Sequence, residues 1–197
     1  ADIAAAIAKA NELTETYTSW PLPRVTLARS LQLSARSAGS STTATDVEQA
    51  WSDAINLVTS SAEFRRADLG GRSGVFAVDD ARGDLSTTLV FKPVPTADVG
   101  RREADQLRAL HQAIAGSGAE ARFAVPASLG VFQAATGEYV HVIERHPGKL
   151  LSSLDPEVAA LYLGECAALL ALFHKSIGVS GSTGSGWQPL RKGLKLW

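Results

Sequence analysis

The sequence predicts an α+β chain in which two amino-terminal helices precede a five-stranded antiparallel sheet and one long helix follows it. Three observations carry that expectation. Apolar residues recur at three- and four-residue spacing before position 60 and again after 155, as helices require. Between them, short β-branched and aromatic runs alternate with glycine- and aspartate-rich turns, as strands require. A lysine, Lys92, sits inside the apolar run Leu89-Val90-Phe91-Lys92-Pro93-Val94, and a glutamate, Glu103, sits in the helical pattern that comes next.

The first helix is expected over Ala1 to about Thr18, with apolar positions at Ile3, Ala6, Ile7 and Leu13, and Trp20-Pro21-Leu22-Pro23 ends it. From Arg24 to Ala44 the composition turns to serine, threonine and arginine with no acidic residue, which reads as a flexible linker. A second helix begins at Thr45-Asp46-Val47-Glu48, a capping-box sequence, and runs along an apolar face of Val47, Ala50, Trp51, Ala54, Ile55 and Val58. Residues 1–60 thus form a helical extension to the sheet.

Strands follow at Phe64 to Leu69, Val75 to Val78 and Leu85 to Val94, the first two joined by Gly70-Gly71-Arg72-Ser73-Gly74. The last of these is apolar enough to be buried on both faces, so its ammonium needs a partner, and Glu103 is the best candidate. The helix that carries Glu103 is capped by Asp98 and has Val99, Leu107, Leu110 and Ile114 on its apolar face. Two further strands, Ser128 to Gln133 and Tyr139 to Glu144, are joined by a turn at Ala134-Ala135-Thr136-Gly137. Arg145-His146-Pro147-Gly148 reads as a hinge. Asp155 then caps a long helix with Pro156 in its first turn and Val158, Leu161, Tyr162, Cys166, Leu169, Leu170 and Phe173 along its buried side. The boundaries expected are 61–150 for the sheet domain, 151–178 for the first helix of a second domain, and 179–197 for a flexible serine- and glycine-rich tail.

Composition narrows the functional classes. The 197 residues are 45% hydrophobic and 20% charged with a net charge of −1, which supplies no electrostatic reason to expect nucleic acid or an anionic membrane as a partner. No apolar run approaches a membrane span, and Ala1 to Ala10 lacks the pattern of a secretory signal, so a cytoplasmic location is expected. His111, His141, His146 and His174 have no metal-ligand spacing, the single cysteine, Cys166, lies on an apolar helix face, and no nucleophile-elbow motif is present. Metal sites and serine hydrolysis have little support.

The order of strand, glycine-rich turn, strand, lysine strand, glutamate helix, two strands, hinge and long helix resembles the amino-terminal lobe of a kinase-like fold. The wording resembles the aminoglycoside and macrolide phosphotransferases, small-molecule kinases, in Gly71-Arg72-Ser73-Gly74-Val75-Phe76-Ala77-Val78, Leu89-Val90-Phe91-Lys92, Arg102-Glu103-Ala104, Val125-Pro126-Ala127 and Val142-Ile143-Glu144-Arg145-His146-Pro147-Gly148.

The resemblance implies ATP or GTP with magnesium as cofactor and transfer of a phosphoryl group to a small-molecule hydroxyl. Lys92 would contact the inner phosphates, with Glu103 holding it. Gly70, Gly71, Arg72, Ser73 and Gly74 would cover the phosphates, Arg72 either touching them or facing solvent. Glu144, Arg145 and His146 would belong to the hinge that hydrogen-bonds the base, with Val78, Val90 and Ile143 as walls of its pocket. The family also needs an aspartate base and metal-binding aspartate and asparagine after the long helix, yet beyond Leu151 the one aspartate is Asp155 and there is no asparagine. No catalytic or metal-binding residue is therefore assigned. The chain reads as a truncated lobe, inactive alone, whose long helix is left uncovered and open to self-association. A non-catalytic nucleotide-binding or protein-interaction module, docking through the two amino-terminal helices, is the alternative.

Overall fold

A computed structural model of the chain describes residues 2–61, 65–66, 74–78, 89–115, 125–145, 154–160, 162–163, 167 and 171, with 65, 66 and 113 described by backbone alone. The chain divides into two compact units, one of Ala1–Asp105 with Ala127–Arg145 and the other of Gln106–Pro126 with His146–Trp197.

The first unit opens with three helices: α1 (Ile3–Thr16), α2 (Pro21–Ala35) and α3 (Ala44–Ser60). Asp2 caps α1 by accepting from the N–H groups of Ala4 and Ala5. The segment expected to be a linker from Arg24 onward is instead the body of α2. Pro21 occupies its first turn, where a missing N–H costs nothing, and Val25 and Ala28 gain burial that composition alone does not reveal. The capping box of α3 also lies two residues earlier than expected. Thr43 accepts from Asp46 N–H at 3.2 Å, and Asp46 accepts from Thr43 N–H at 2.8 Å. These bonds hold the exposed Asp46 carboxyl below its usual pKa.

The strands are β1 (Arg65–Arg66), β2 (Ala77–Val78), β3 (Leu89–Val94), β4 (Ser128–Gln133) and β5 (Tyr139–Glu144), with α4 (Ala97–Ile114) between β3 and β4. They do not make the expected five-stranded sheet. Among the described residues, β3, β5 and β4 form a three-stranded antiparallel sheet in the order β3-β5-β4, and β1 pairs with β2 alone. One isolated bridge, Phe76↔Phe91, stands between the two, closed by reciprocal backbone bonds of 3.0 and 2.8 Å. Gly74, three residues before β2, has φ 64°, a conformation that favours glycine.

The sheet has two unlike faces. Leu89, Phe91, Val140 and Val142 point into a core with Val25 and Ala28 of α2 and Trp51, Ala54, Ile55 and Val58 of α3. Trp51 is fully buried and stacks on Phe132 at 5.2 Å, and Phe76 stacks on Phe91 at 5.6 Å. On the other face of β3, Val90 and Lys92 are half-buried and Val94 is buried, so the face that carries Lys92 is only partly covered, not fully buried as expected. The hairpin β4–β5 forms where expected, with Gly137 at φ 87° in its turn.

In the second unit, Asp155 accepts from Glu157 N–H at 2.9 Å, and the helix begins at Pro156 as expected. Val158 and Tyr162, on the apolar side expected to be left uncovered, are exposed, as is Leu163. The flexible tail, 179–197, lies outside the described residues.

The cap assignment is open to a direct check. Thr43→Ala should lower unfolding free energy in urea by about 1 kcal/mol, whereas Thr45→Ala should leave it nearly unchanged.

Candidate functional site

Lys92 and His141 are directly opposite each other on β3 and β5, so both side chains rise from the same face of the sheet. Above them runs α4. Its start is set by Thr96, whose hydroxyl accepts from Val99 N–H at 3.3 Å; Asp98, the expected cap, lies within the first turn. Gly100 lets this helix approach the sheet, since a Cβ there would lie 2.8 and 2.9 Å from the methyls of Val131 and 3.1 Å from Val94. Glu103, one turn further on, is thereby delivered to the pair of side chains below.

The Lys92 Nζ donates to Glu103 Oε1 at 2.6 Å, as the sequence predicts. The other carboxylate oxygen, Oε2, lies 3.3 Å from Nδ1 of His141, and Nε2 of that ring lies 2.9 Å from the Ser128 hydroxyl. His141 has no exposed surface, while the side chains of Lys92 and Glu103 are 29% and 32% exposed. Burial holds the His141 pKa below the ordinary 6.5; the hydrogen bond and charge of Glu103 oppose that shift, and the charge of Lys92 adds to it.

The remaining predicted residues are only partly brought together. Val90 and Ile143 share the Lys92 face, being opposite each other in the β3–β5 ladder. Val78 does not: the Phe76↔Phe91 bridge turns it, with Phe76, into the core against α2 and α3. The β2 residue between them, Ala77, takes the opposite face. Glu144 is engaged twice, its N–H donating to Ala127 O at 2.8 Å and its carboxylate accepting from Arg29 of α2 at 3.1 Å. Arg145 is half-buried at the end of β5, and Gly74 has open space where a Cβ would project. Gly70, Gly71, Arg72, Ser73 and His146 lie outside the described residues.

The sequence reading missed Ser128 and His141 as members of this group. The available signal was the strand period: once Lys92 is set opposite His141, a polar side chain on an otherwise apolar strand demands a partner. Among the described residues no group of three or more His, Cys, Asp or Glu side chains could hold a metal ion, and no helix is long and apolar enough to cross a membrane. The clefts at the α1–α2 junction and beside α3 are lined by neither Lys92 nor Glu103. No protein-family model, curated protein or solved structure matches the chain.

Two outcomes follow from this geometry. Because the folded chain resists protonating His141, the unfolded chain binds the proton more readily below about pH 6.5; stability is full above that value and declines as pH falls through the lower, folded pKa. Thermal melts of the native chain should show this decline, and His141→Gln should flatten it. Gly100→Ala should cost about 1–3 kcal/mol in chemical denaturation, the penalty for overpacking α4 against Val131 and Val94.

Proposed function

We propose that this chain binds the phosphates of ATP or GTP through Lys92 and serves as the nucleotide-gripping part of a phosphotransferase acting on a small-molecule hydroxyl. The observation that carries the reading is the 2.6 Å Lys92–Glu103 ion pair, set at a half-buried position of the sheet with the lysine side chain 29% exposed. An ammonium has three donors and spends one on Glu103 here, which supports a role in offering the others to an anionic ligand. Glu103 is gripped from two directions, so the lysine it holds is aimed and not swinging in solvent. The magnesium expected with the nucleotide has no ligand set among the described residues and enters only as the counter-ion of the phosphates. Transfer itself is not assigned to any residue of this chain.

The docking alternative would use the two expected helices, which are α1 and α3. The apolar face of α3, including Trp51, Ala54 and Ile55, is buried in the core of the first unit, whereas Ile3, Ile7 and Leu13 of α1 are half-buried. Self-association belongs to the second unit, where Val158, Tyr162 and Leu163 are 40%, 49% and 57% exposed. Light scattering should show mass rising with concentration; an unchanging monomer mass would count against it.

The test of the nucleotide reading is calorimetric titration with magnesium ATP and magnesium GTP. Saturable binding is expected for the native chain and a loss of at least tenfold for Lys92→Ala, in keeping with a charged hydrogen bond of about 1.5–3 kcal/mol. Binding of neither nucleotide, or equal binding by the variant, would refute it.

A further inference from the structure

We propose that His141 and Ser128 are positioning residues for Lys92: the Ser128 hydroxyl orients the His141 ring, the ring holds Glu103, and Glu103 aims the lysine. The importance for phosphate binding rests on the function proposed above, but the relay itself can be tested without any nucleotide.

The protons follow from the chemistry of the partners. An ionised carboxylate only accepts, so the His141 nitrogen facing Glu103 Oε2, Nδ1, carries the hydrogen. A ring with no exposed surface is kept neutral by the cost of burying charge, leaving a lone pair on Nε2. Ser128 is therefore the donor in the 2.9 Å contact with Nε2. Both oxygens of Glu103 are then occupied, one by Lys92 and one by His141, which holds the plane of the carboxylate at two points.

The backbone is shaped to bring Ser128 into this row. Alternation back from Val131, which is opposite His141, would place Ser128 on the core face, the face of Phe132, away from the imidazole. A register shift between Ser128 and Gly130 inserts one residue, so that Ser128 comes opposite Ile143, on the face that carries His141. Gly130 makes the bulge feasible: its φ is 145°, and a Cβ there would lie 2.7 Å from the Phe132 ring. Leu129, the inserted residue, packs on the core, and its carbonyl accepts from Gln32 Nε2 of α2, whose Oε1 accepts in turn from the Trp51 indole at 3.3 Å. The bulge thus has its own support from the helical layer, and its consequence is the placement of one hydroxyl against one imidazole.

Hydroxyl, imidazole and carboxylate in this order also describe a nucleophilic triad. The burial of His141 argues against that use, because a base must pass its proton to a leaving group and this ring has no surface from which to do so.

The decisive measurement is the nitrogen-15 spectrum of the His141 ring in the native chain. The proton is expected on Nδ1 with Nε2 unprotonated; the reverse tautomer would overturn the relay. Acylation of Lys92 by acetic anhydride, read by peptide mass spectrometry against the exposed Lys9, supplies the second readout. Ser128→Ala and His141→Leu should raise Lys92 labelling roughly fivefold, the factor one net hydrogen bond is worth, and His141→Asn, which restores a donor toward Glu103, should bring it back. Labelling unchanged in Ser128→Ala, the milder variant, would refute the relay whether or not nucleotide binds. If instead the tautomer and labelling are as expected while ATP and GTP fail to bind, the relay stands and the nucleotide reading falls.

Discussion

The antiparallel register of β3 against β5 is the constraint on which the site depends, because it makes Lys92 and His141 direct neighbours on one face. A slip of one residue would carry Lys92 to the side occupied by Phe91 and Leu89, into the core against α2 and α3. That register is protected by the core itself. Leu89, Phe91, Val140 and Val142 are almost fully buried, and turning them to the other face would expose all four together.

The two faces have different coverings, and the difference separates stability from chemistry. On one side, α2 and α3 supply an apolar layer centred on Trp51, with Ser52 and Asn56 tying α3 to the carbonyl of Gln133 and the N–H of Ala135. On the other, α4 supplies charge: Glu103 meets a lysine and a buried histidine that would each be costly without it. The side chains are close enough to interact strongly and open enough for solvent to screen them, so the Lys92–Glu103 pair is better understood as an orienting device than as a large source of stability.

The amino-terminal segment belongs to this architecture. Gln32 links Trp51 to the carbonyl of the bulged Leu129, and Arg29 pairs with Glu144 at the end of β5, so α2 touches both strands that lie beyond β3. Its composition conceals this because serines, arginines and two prolines interrupt the apolar residues, although Leu22, Val25, Ala28 and Leu31 recur every three residues. Helix formation there is driven by burial against the sheet more than by local pattern.

Much that is local was legible in the residues. The strands Ser128–Gln133 and Tyr139–Glu144, the turn at Gly137, the apolar face of α3 and the partnership of Lys92 with Glu103 all follow from spacing and from the cost of burying an unpaired charge. What the tertiary structure decided is what depends on contacts between segments distant in sequence. Those contacts turn Arg24 to Ala35 into helix, among the described residues pair β1 with β2 and not with the three-stranded sheet, and send Val78 to the core instead of the Lys92 face. They also bring Ser128 to His141, through a bulge that breaks the period-two rule by which side chains are assigned to faces. Spacing along the chain determines which residues can share a helix or strand face; only packing determines which faces meet, because the burial that selects one pairing over another is a property of both partners at once.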